Sequence, residues 1–265
     1  IRAHNPQYTS LLLDDLQWLG LTWDRGPFFQ SKRTELYQDA LLKLKQQKLL
    51  YPCFCSRADL HAAQAPHASD GAYVYAGTCR DLSKSEREEL SKHKIPATRI
   101  RVPNKTYAFE DKVYGQTSQN LSKLCGDFIV QRADDVFAYQ LAVVVDDADM
   151  GVTEVVRGSD LLSSTPRQLY LQDVLGLSHP IYAHLPLLVA PDNRRLSKRN
   201  HDLDLGVLRD QGKTPEEILG FLAYCIGLAE KEEPLSAVQV ANRFSWDVLR
   251  AHRKNVVVEH FSHVL

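Results

Sequence analysis

No stretch of the 265-residue sequence approaches the roughly 18–20 consecutive apolar residues that a membrane-crossing helix needs, so no membrane span is expected. Surplus charge of either sign is also missing: 32 Lys and Arg stand against 33 Asp and Glu, a net charge of −1. That excludes a globally basic body, and any contact with nucleic acid has to come from a local basic patch. The opening Ile1-Arg2-Ala3-His4 contains neither an initiator Met nor a charged-then-apolar signal segment. There is no internal repeat and no long low-complexity segment. Cysteine is scarce and odd in number, with five copies. Cys53, Cys55 and Cys79 lie close together, while Cys125 and Cys225 stand alone. This pattern argues against a disulfide scaffold and for a reducing compartment, the cytoplasm, with one metal site. What is present in quantity is ordinary for a globular protein with a sizeable core: 44% hydrophobic and 25% charged residues.

Periodicity organises the chain into segments. Leu12, Leu16 and Leu19 fall on one helical face that Gly20 closes, Gly26-Pro27 marks a connection, and a second helix is expected from about Ser31 to Lys48. Between Cys53 and Gly126, Ala65-Pro66, Asp70-Gly71 and the charge-rich Ser83–Lys94 stretch interrupt any long periodic run, which suggests an inserted module. Strands of a parallel sheet are expected at Phe128–Val130, at Ala138–Val145 ending in Asp146-Asp147, at Val152–Val156 and at Leu185–Val189. Ser164-Thr165-Pro166 starts a helix that Gly176 ends. Thr214-Pro215-Glu216-Glu217 is a capping box opening a helix to about Leu228, and Ser236–His252 is also expected to be helical.

Three constellations could carry chemistry. Arg194-Arg195-Leu196-Ser197-Lys198-Arg199-Asn200 gathers four cations and a hydroxyl after an apolar strand. It reads either as a solvated basic turn or as a loop whose Lys198 ammonium meets a polyphosphate. Cys53-x-Cys55 with the later Cys79 could supply three ligands of a tetrahedral zinc site, with His61 or His67 open as the fourth, or could be three thiols without metal. Tyr139 and Arg157 are each placed in or at the end of a strand, where a guanidinium can grip a carboxylate or serve as a salt-bridge partner. Asp146 and Asp147 read as polar residues at a strand end.

The stretch His184-Leu185-Pro186 followed by Arg195-Leu196-Ser197-Lys198-Arg199 resembles the second signature of class I aminoacyl-tRNA synthetases in its glutamyl form. Val155-Val156-Arg157-Gly158-Ser159-Asp160, Ser164-Thr165-Pro166-Arg167-Gln168, and Leu19-Gly20-Leu21-Thr22-Trp23-Asp24 with Gln30-Ser31 are similar to the same family, in the correct order. The resemblance implies an α/β fold, the Rossmann-type class I catalytic fold, with an inserted zinc-bearing module and a short helical C-terminal region. The expected divisions are residues 1–52 and 127–200 for the two parts of the catalytic fold, the latter ending in the KMSKS-like loop, 53–126 for the module and 201–265 for the helical tail. The implied ATP-binding residues are Arg195, Ser197 and Lys198, with Lys198 the catalytic group, and Tyr139 and Arg157 would contact glutamate.

Within that family, the glutamyl-queuosine tRNA(Asp) synthetases resemble this chain in carrying zinc on Cys-x-Cys and Tyr-x-x-x-Cys. Carried over, the ligands are Cys53, Cys55, Tyr75 and Cys79, although the intervening loop is longer here and contains His61 and His67. Only residues 200–265 follow Arg199, too few for the anticodon-binding region of ordinary glutamyl-tRNA synthetases. The implied activity is tRNA-independent activation of L-glutamate by ATP with Mg2+, then transfer to queuosine in the anticodon of tRNA(Asp), by a protein expected to be monomeric. The other expectations are a truncated charging enzyme or a non-catalytic RNA-binding relative. The family's first signature, of His-Ile-Gly-His type, has no match in residues 1–30, and a longer natural chain upstream of Ile1 is expected.

Overall fold

The structure, a computed structural model, describes residues 6–56, 59, 74–194, 196 and 205–258. Helix α1 (Pro6–Trp18) leads through the cis Gly26–Pro27 bond to a 3-10 turn at Gln30–Lys32 and helix α2 (Thr34–Gln46). α2 buries Tyr37, Ala40 and Leu44 at the helical spacing of a single inward face. Strand β1 (Leu50–Cys53) follows. Helix α3 (Lys84–Ser91) begins at a capping box, Ser83 with Glu86, so the charge-rich stretch forms a polar, solvent-facing helix.

Strand β2 (Ala97–Ile100), the hairpin of β3 (Thr106–Asp111) and β4 (Gly115–Asn120), and the single-turn helix α4 (Leu121–Leu124) lead to β5 (Phe128–Gln131). Helix α5 (Tyr139–Asp149), strand β6 (Glu154–Gly158), a 3-10 segment at Ser159–Ser164 and helix α6 (Thr165–Leu175) come next. Strands β7 (Ile181–Leu185) and β8 (Leu188–Val189) precede the loop. The C-terminal part comprises α7 (Leu205–Asp210), α8 (Pro215–Cys225), α9 (Ala237–Asn242), α10 (Trp246–Ala251) and β9 (Val256–Val257).

β1, β2 and β5 make an antiparallel sheet in the order β1-β2-β5. The second sheet has the order β4-β3-β7-β6, with β3, β7 and β6 parallel and β4 antiparallel to β3. β3, which lies within residues 53–126, is thus joined to the sheet of β6 and β7. One core spans both sheets: Leu44 of α2, Ile100 of β2, Val130 of β5, Leu141 of α5, Leu171 of α6 and Tyr182 of β7 pack together. Each fully buried leucine there contributes about 1.5–3 kcal/mol. A second cluster, Leu19 with Leu208, Ile218, Leu219 and Phe221, holds the C-terminal helices on the end of α1. No helix among the described residues is long and apolar enough to cross a membrane.

Three expected strands are corrected. Phe128–Val130 does form β5, but it pairs antiparallel with β2 rather than in a parallel sheet. Ala138–Val145 is not a strand: it lies in α5, with Tyr139 at the helix start rather than in a strand. Leu141, Ala142 and Val144 are buried, while Val143 and Val145 pack against the same core. A helix covered on most sides loses its periodic polar face, so its sequence reads as a continuous apolar run. The Leu185–Val189 strand is split into β7 and β8 because Pro186 has no N–H to give a ladder. Ser236–His252 likewise forms two short helices, each with its own serine cap, Ser236 and Ser245. The helix starts at Thr165-Pro166 and at the Thr214–Glu217 capping box are as expected, and Gly176 ends α6 in the left-handed conformation.

Candidate active site and metal centre

Parallel pairing sets the first site. Arg157 lies opposite His184 in the β6–β7 register, and Asp111 opposite Tyr182 in the β3–β7 register, so three strands deliver an acid, an imidazole and a guanidinium to one end of the sheet. Asp111 Oδ2 stands 2.6 Å from His184 Nδ1, and both side chains are fully buried. Arg157 Nε is 3.0 Å from His184 Nε2, and Arg157 Nη2 donates to Thr165 Oγ1 at 2.8 Å and to the Leu161 carbonyl at 3.5 Å. The guanidinium also lies over the Tyr182 ring, 5.2 Å from its centroid.

Burial would raise the Asp111 carboxyl, but the hydrogen bonds from His184 and from the Tyr114 and Val113 amides hold it below its ordinary value. Asp147, in the last turn of α5, is lifted above its ordinary value by burial and by Asp146, against the pull of Arg157. Burial raises the Tyr182 phenol above its ordinary value, against its hydrogen bond with Gln172 and the charge of Arg157. Tyr139 itself is half exposed. The N-termini of α5 and α6 are clamped by Gln168 Nε2 to Gln140 Oε1 at 2.9 Å and by Gln140 Nε2 to Ser164 Oγ at 3.0 Å. That clamp fixes Tyr139 relative to Thr165 and hence to Arg157.

Arg157 makes no ion pair within 4 Å among the described residues; its hydrogen-bond partners are a neutral ring, a hydroxyl and a carbonyl. A structural salt-bridge arginine would end on a carboxylate. This one is a half-buried cation supported by neutral groups, which suits it to receive an anion from outside.

After β8, the chain turns at Ala190–Arg194, where Ala190 N donates to the Arg194 carbonyl at 2.9 Å and Asn193 adopts a positive φ of 61°. This turn launches the basic loop. Arg195, Ser197 and Lys198 lie outside the described residues, as do His61 and His67.

The second cluster stands at the end of β1. The sulfurs of Cys53, Cys55 and Cys79 all lie within 4.8 Å of one another and could hold a metal ion. All five cysteines are free thiols. Tyr75 Oη lies 3.6 Å from Cys53 Sγ and 3.9 Å from Cys55 Sγ, and Cys55 Sγ is 3.5 Å from Cys79 Sγ. A tetrahedral zinc with Zn–S of about 2.3 Å spaces its sulfurs roughly 3.8 Å apart and sets an oxygen ligand about 3.5 Å from each, so three thiols and this phenol fit such an ion. Tyr75 is brought here by a bridge to Gly126, whose φ is +60°. A Cβ on Gly126 would meet the Tyr75 carbonyl oxygen at 2.3 Å, so only glycine permits the approach.

Buried Arg99 donates from Nε to Cys53 Sγ at 3.1 Å and stacks over the Tyr75 ring at 3.8 Å. Burial opposes ionisation of Cys53, yet the Arg99 charge and the Tyr75 hydrogen bond bring its pKa below the usual thiol value. Cys55, by contrast, is pushed up to about 12 by burial, by its hydrogen bond with Cys79 and by the neighbouring Cys53.

Sequence reasoning had no role for Asp111 or Arg99, and quoted His184 only within a motif and Thr165 only within a motif and a helix start. Asp111 and His184 are 73 residues apart, and only the strand register brings them together.

Residues 2–262 match the family model for tRNA synthetases class I (E and Q), catalytic domain. The chain is 45% identical over 263 residues to the glutamyl-Q tRNA(Asp) synthetase of Symbiobacterium thermophilum, covering 95% of this chain and 80% of that protein. It is 42% identical over 276 residues to the glutamyl-Q tRNA(Asp) synthetase of Rhodopirellula baltica, covering 97% of this chain and 83% of that protein. A crystal structure of a glutamate tRNA ligase from Elizabethkingia meningosepticum, in complex with its amino acid, shares the fold with a TM-score of 0.74 at 23% identity. That match takes in 96% of this chain but only 57% of the ligase.

Proposed function

Because the chain belongs to the catalytic-domain family of class I tRNA synthetases for E and Q, we propose that it activates L-glutamate with ATP, without tRNA, and transfers the glutamyl group to queuosine in the anticodon of tRNA(Asp). In the first step the glutamate α-carboxylate attacks the α-phosphorus of ATP, and pyrophosphate leaves with its Mg2+. In the second a hydroxyl of the queuosine cyclopentene-diol attacks the mixed anhydride, an ester forms, and AMP leaves. Neither step requires a protein nucleophile, so the protein's work is positioning and charge stabilisation.

Arg157 and Tyr139 hold the glutamate, and Arg195, Ser197 and Lys198 meet the ATP phosphates, with Lys198 stabilising the charge that builds as pyrophosphate departs. The single observation that carries the glutamate assignment is that Arg157 is held by neutral acceptors alone, which leaves its charge for a carboxylate. Cys53, Cys55, Tyr75 and Cys79 take zinc as a closed, four-ligand structural site within the module spanning residues 53–126. The free state of all five thiols supports the cytoplasm as its compartment.

The test is glutamate-dependent pyrophosphate exchange without tRNA, followed by glutamate transfer to tRNA(Asp) with and without queuosine. Exchange without tRNA and transfer only to the queuosine-bearing tRNA are expected. Equal charging of both, or charging only of tRNA(Glu), would overturn the queuosine reading, and absence of exchange would overturn the activation step.

A further inference from the structure

The hydrogen bonds behind Arg157 fix more than its place. Asp111 Oδ1 accepts from three backbone amides, Val113 at 3.0 Å, Tyr114 at 2.9 Å and His184 at 3.3 Å. These pin the rotation of the carboxylate and leave Oδ2 facing His184 Nδ1 at 2.6 Å. A carboxylate accepts only, so the proton of the ring sits on Nδ1. Nε2 is then a lone pair, and it meets Arg157 Nε at 3.0 Å. A guanidinium donates only, so the assignments at the two ends of the ring agree.

We propose that Asp111 and His184 form a positioning relay that locks the histidine in its Nδ1–H tautomer and thereby aims the outer edge of Arg157 at the substrate carboxylate. Nε is taken by His184 and one Nη2 hydrogen by Thr165, so the side-on edge of the guanidinium belongs to the protein. Nη1 has no hydrogen-bond partner among the described residues. The second Nη2 hydrogen faces the Leu161 carbonyl at 3.5 Å, beyond the 2.7–3.2 Å of a good hydrogen bond, so an incoming carboxylate can displace that contact and take Nη1 and Nη2 along the end-on edge as a fork. The relay rests on Arg157 being a glutamate-binding group. It adds that two residues with no substrate contact set the affinity.

Asp111→Asn tests it with almost no change of shape. The three backbone amides hold the side-chain oxygen at the Oδ1 position, so the amide nitrogen takes the Oδ2 position and donates to Nδ1. The ring proton must move to Nε2, where it confronts Arg157 Nε–H, donor against donor. The expected result in pyrophosphate exchange is a KM for glutamate raised about tenfold or more, with the KM for ATP changed less than twofold. 15N NMR should show His184 as Nδ1–H in the wild-type protein and as Nε2–H in the variant. His184→Gln, whose carbonyl oxygen can replace the Nε2 acceptor, should keep most of the glutamate affinity that His184→Leu loses. A folded Asp111→Asn protein with an unchanged glutamate KM, or a wild-type His184 found as Nε2–H, overturns the relay. No exchange by the wild-type protein overturns the glutamate reading instead, and the tautomer measurement stands independently of it.

Discussion

Asp146 is a buried carboxylate in the last turn of α5 that binds the start of α2 to the helix carrying Tyr139, and replacing it with alanine should loosen that joint measurably. Its Oδ1 and Oδ2 accept from the Tyr37 hydroxyl at 2.8 and 2.9 Å, from Gln30 Nε2 at 2.9 Å and from Arg33 Nε at 2.7 Å. Tyr37 is buried, and burial together with its hydrogen bond to Asp146 pushes its pKa up to about 12, so the phenol is a donor throughout the working pH range. Asp146→Ala strands that hydroxyl without an acceptor, at about 1–3 kcal/mol, and removes the Gln30 bond, worth about 0.5–1.5 kcal/mol. The expected loss is about 2–4 kcal/mol, which for a chain of this size lowers the melting temperature by roughly 5–15 °C.

A double-mutant cycle isolates the cause. Tyr37→Phe alone should cost about 1 kcal/mol, but in the Asp146→Ala background it removes an orphaned hydroxyl and should cost nothing or stabilise, giving a coupling on the order of 1–2 kcal/mol. Urea unfolding followed by circular dichroism on all four proteins, at one zinc concentration, reads these values. An Asp146→Ala protein within about 1 kcal/mol of wild type, or an additive cycle, would refute the account of Asp146 as the joint.

Elemental analysis of the purified protein should find one zinc per chain, and Cys55→Ser should lose it because the proposed S3O set would fall to two thiolates. Asp111 also predicts an acid limb. Its folded pKa lies below the ordinary carboxylate value, so the stability it adds is complete above about pH 4 and is lost as pH falls from there through the folded value. Urea titrations below about pH 4 should therefore show a shallower loss for Asp111→Asn than for the wild-type protein, and equal slopes would contradict the assignment. At Gly220 in α8 an added Cβ would stand 1.7 Å from the Glu233 carbonyl oxygen, which is backbone and cannot turn away. Gly220→Ala should destabilise by about 1–3 kcal/mol or more, read by the same unfolding assay, and a neutral result would mean that the 233–235 segment moves freely.

Local signals were legible where a structural choice is made locally. The Thr214–Glu217 capping box, Pro166 at a helix start and Gly176 at its end are each decided within four residues, and each is where the sequence places it. Cys53, Cys55 and Cys79 were legible from their spacing and Tyr75 through family resemblance, and their side chains do converge. The 138–145 run misled because Val143, Val144 and Val145 favour strands locally, whereas burial against α2, α6 and β5 decides in favour of a helix. Asp146 then changed from a strand-end residue to a helix-to-helix anchor whose partners lie 109 to 116 residues away. Asp111 carries no sequence signature, and His184 and Thr165 appear only as parts of motifs, since strand register rather than sequence distance makes the three neighbours.

The electrostatics of the two clusters follow opposite logic, and the difference bears on what each can bind. At the sheet end, Arg157 is given only neutral acceptors, so a carboxylate arriving there meets a charge not yet neutralised. At the cysteine cluster, Arg99 is buried with its Nε on Cys53, its face on Tyr75 and its Nη1 on the Asp127 carbonyl at 2.7 Å, so its charge is already committed to the ligands. Three thiolates and a phenolate around a divalent ion would carry two net negative charges, and a buried cation in contact lowers the cost of holding them there. Asp127 in turn accepts from the Tyr51 hydroxyl at 2.7 Å and from the Val102 amide at 2.7 Å, and pairs with Arg80 at 3.0 Å. The cluster is therefore tied through Arg99 and Asp127 to β1 and β2, whose sheet shares its core with α2 and α5. A metal held by such a set would act as a cross-link for the fold, and the charge of Arg157, met only by neutral acceptors, stays open to the carboxylate proposed to bind there.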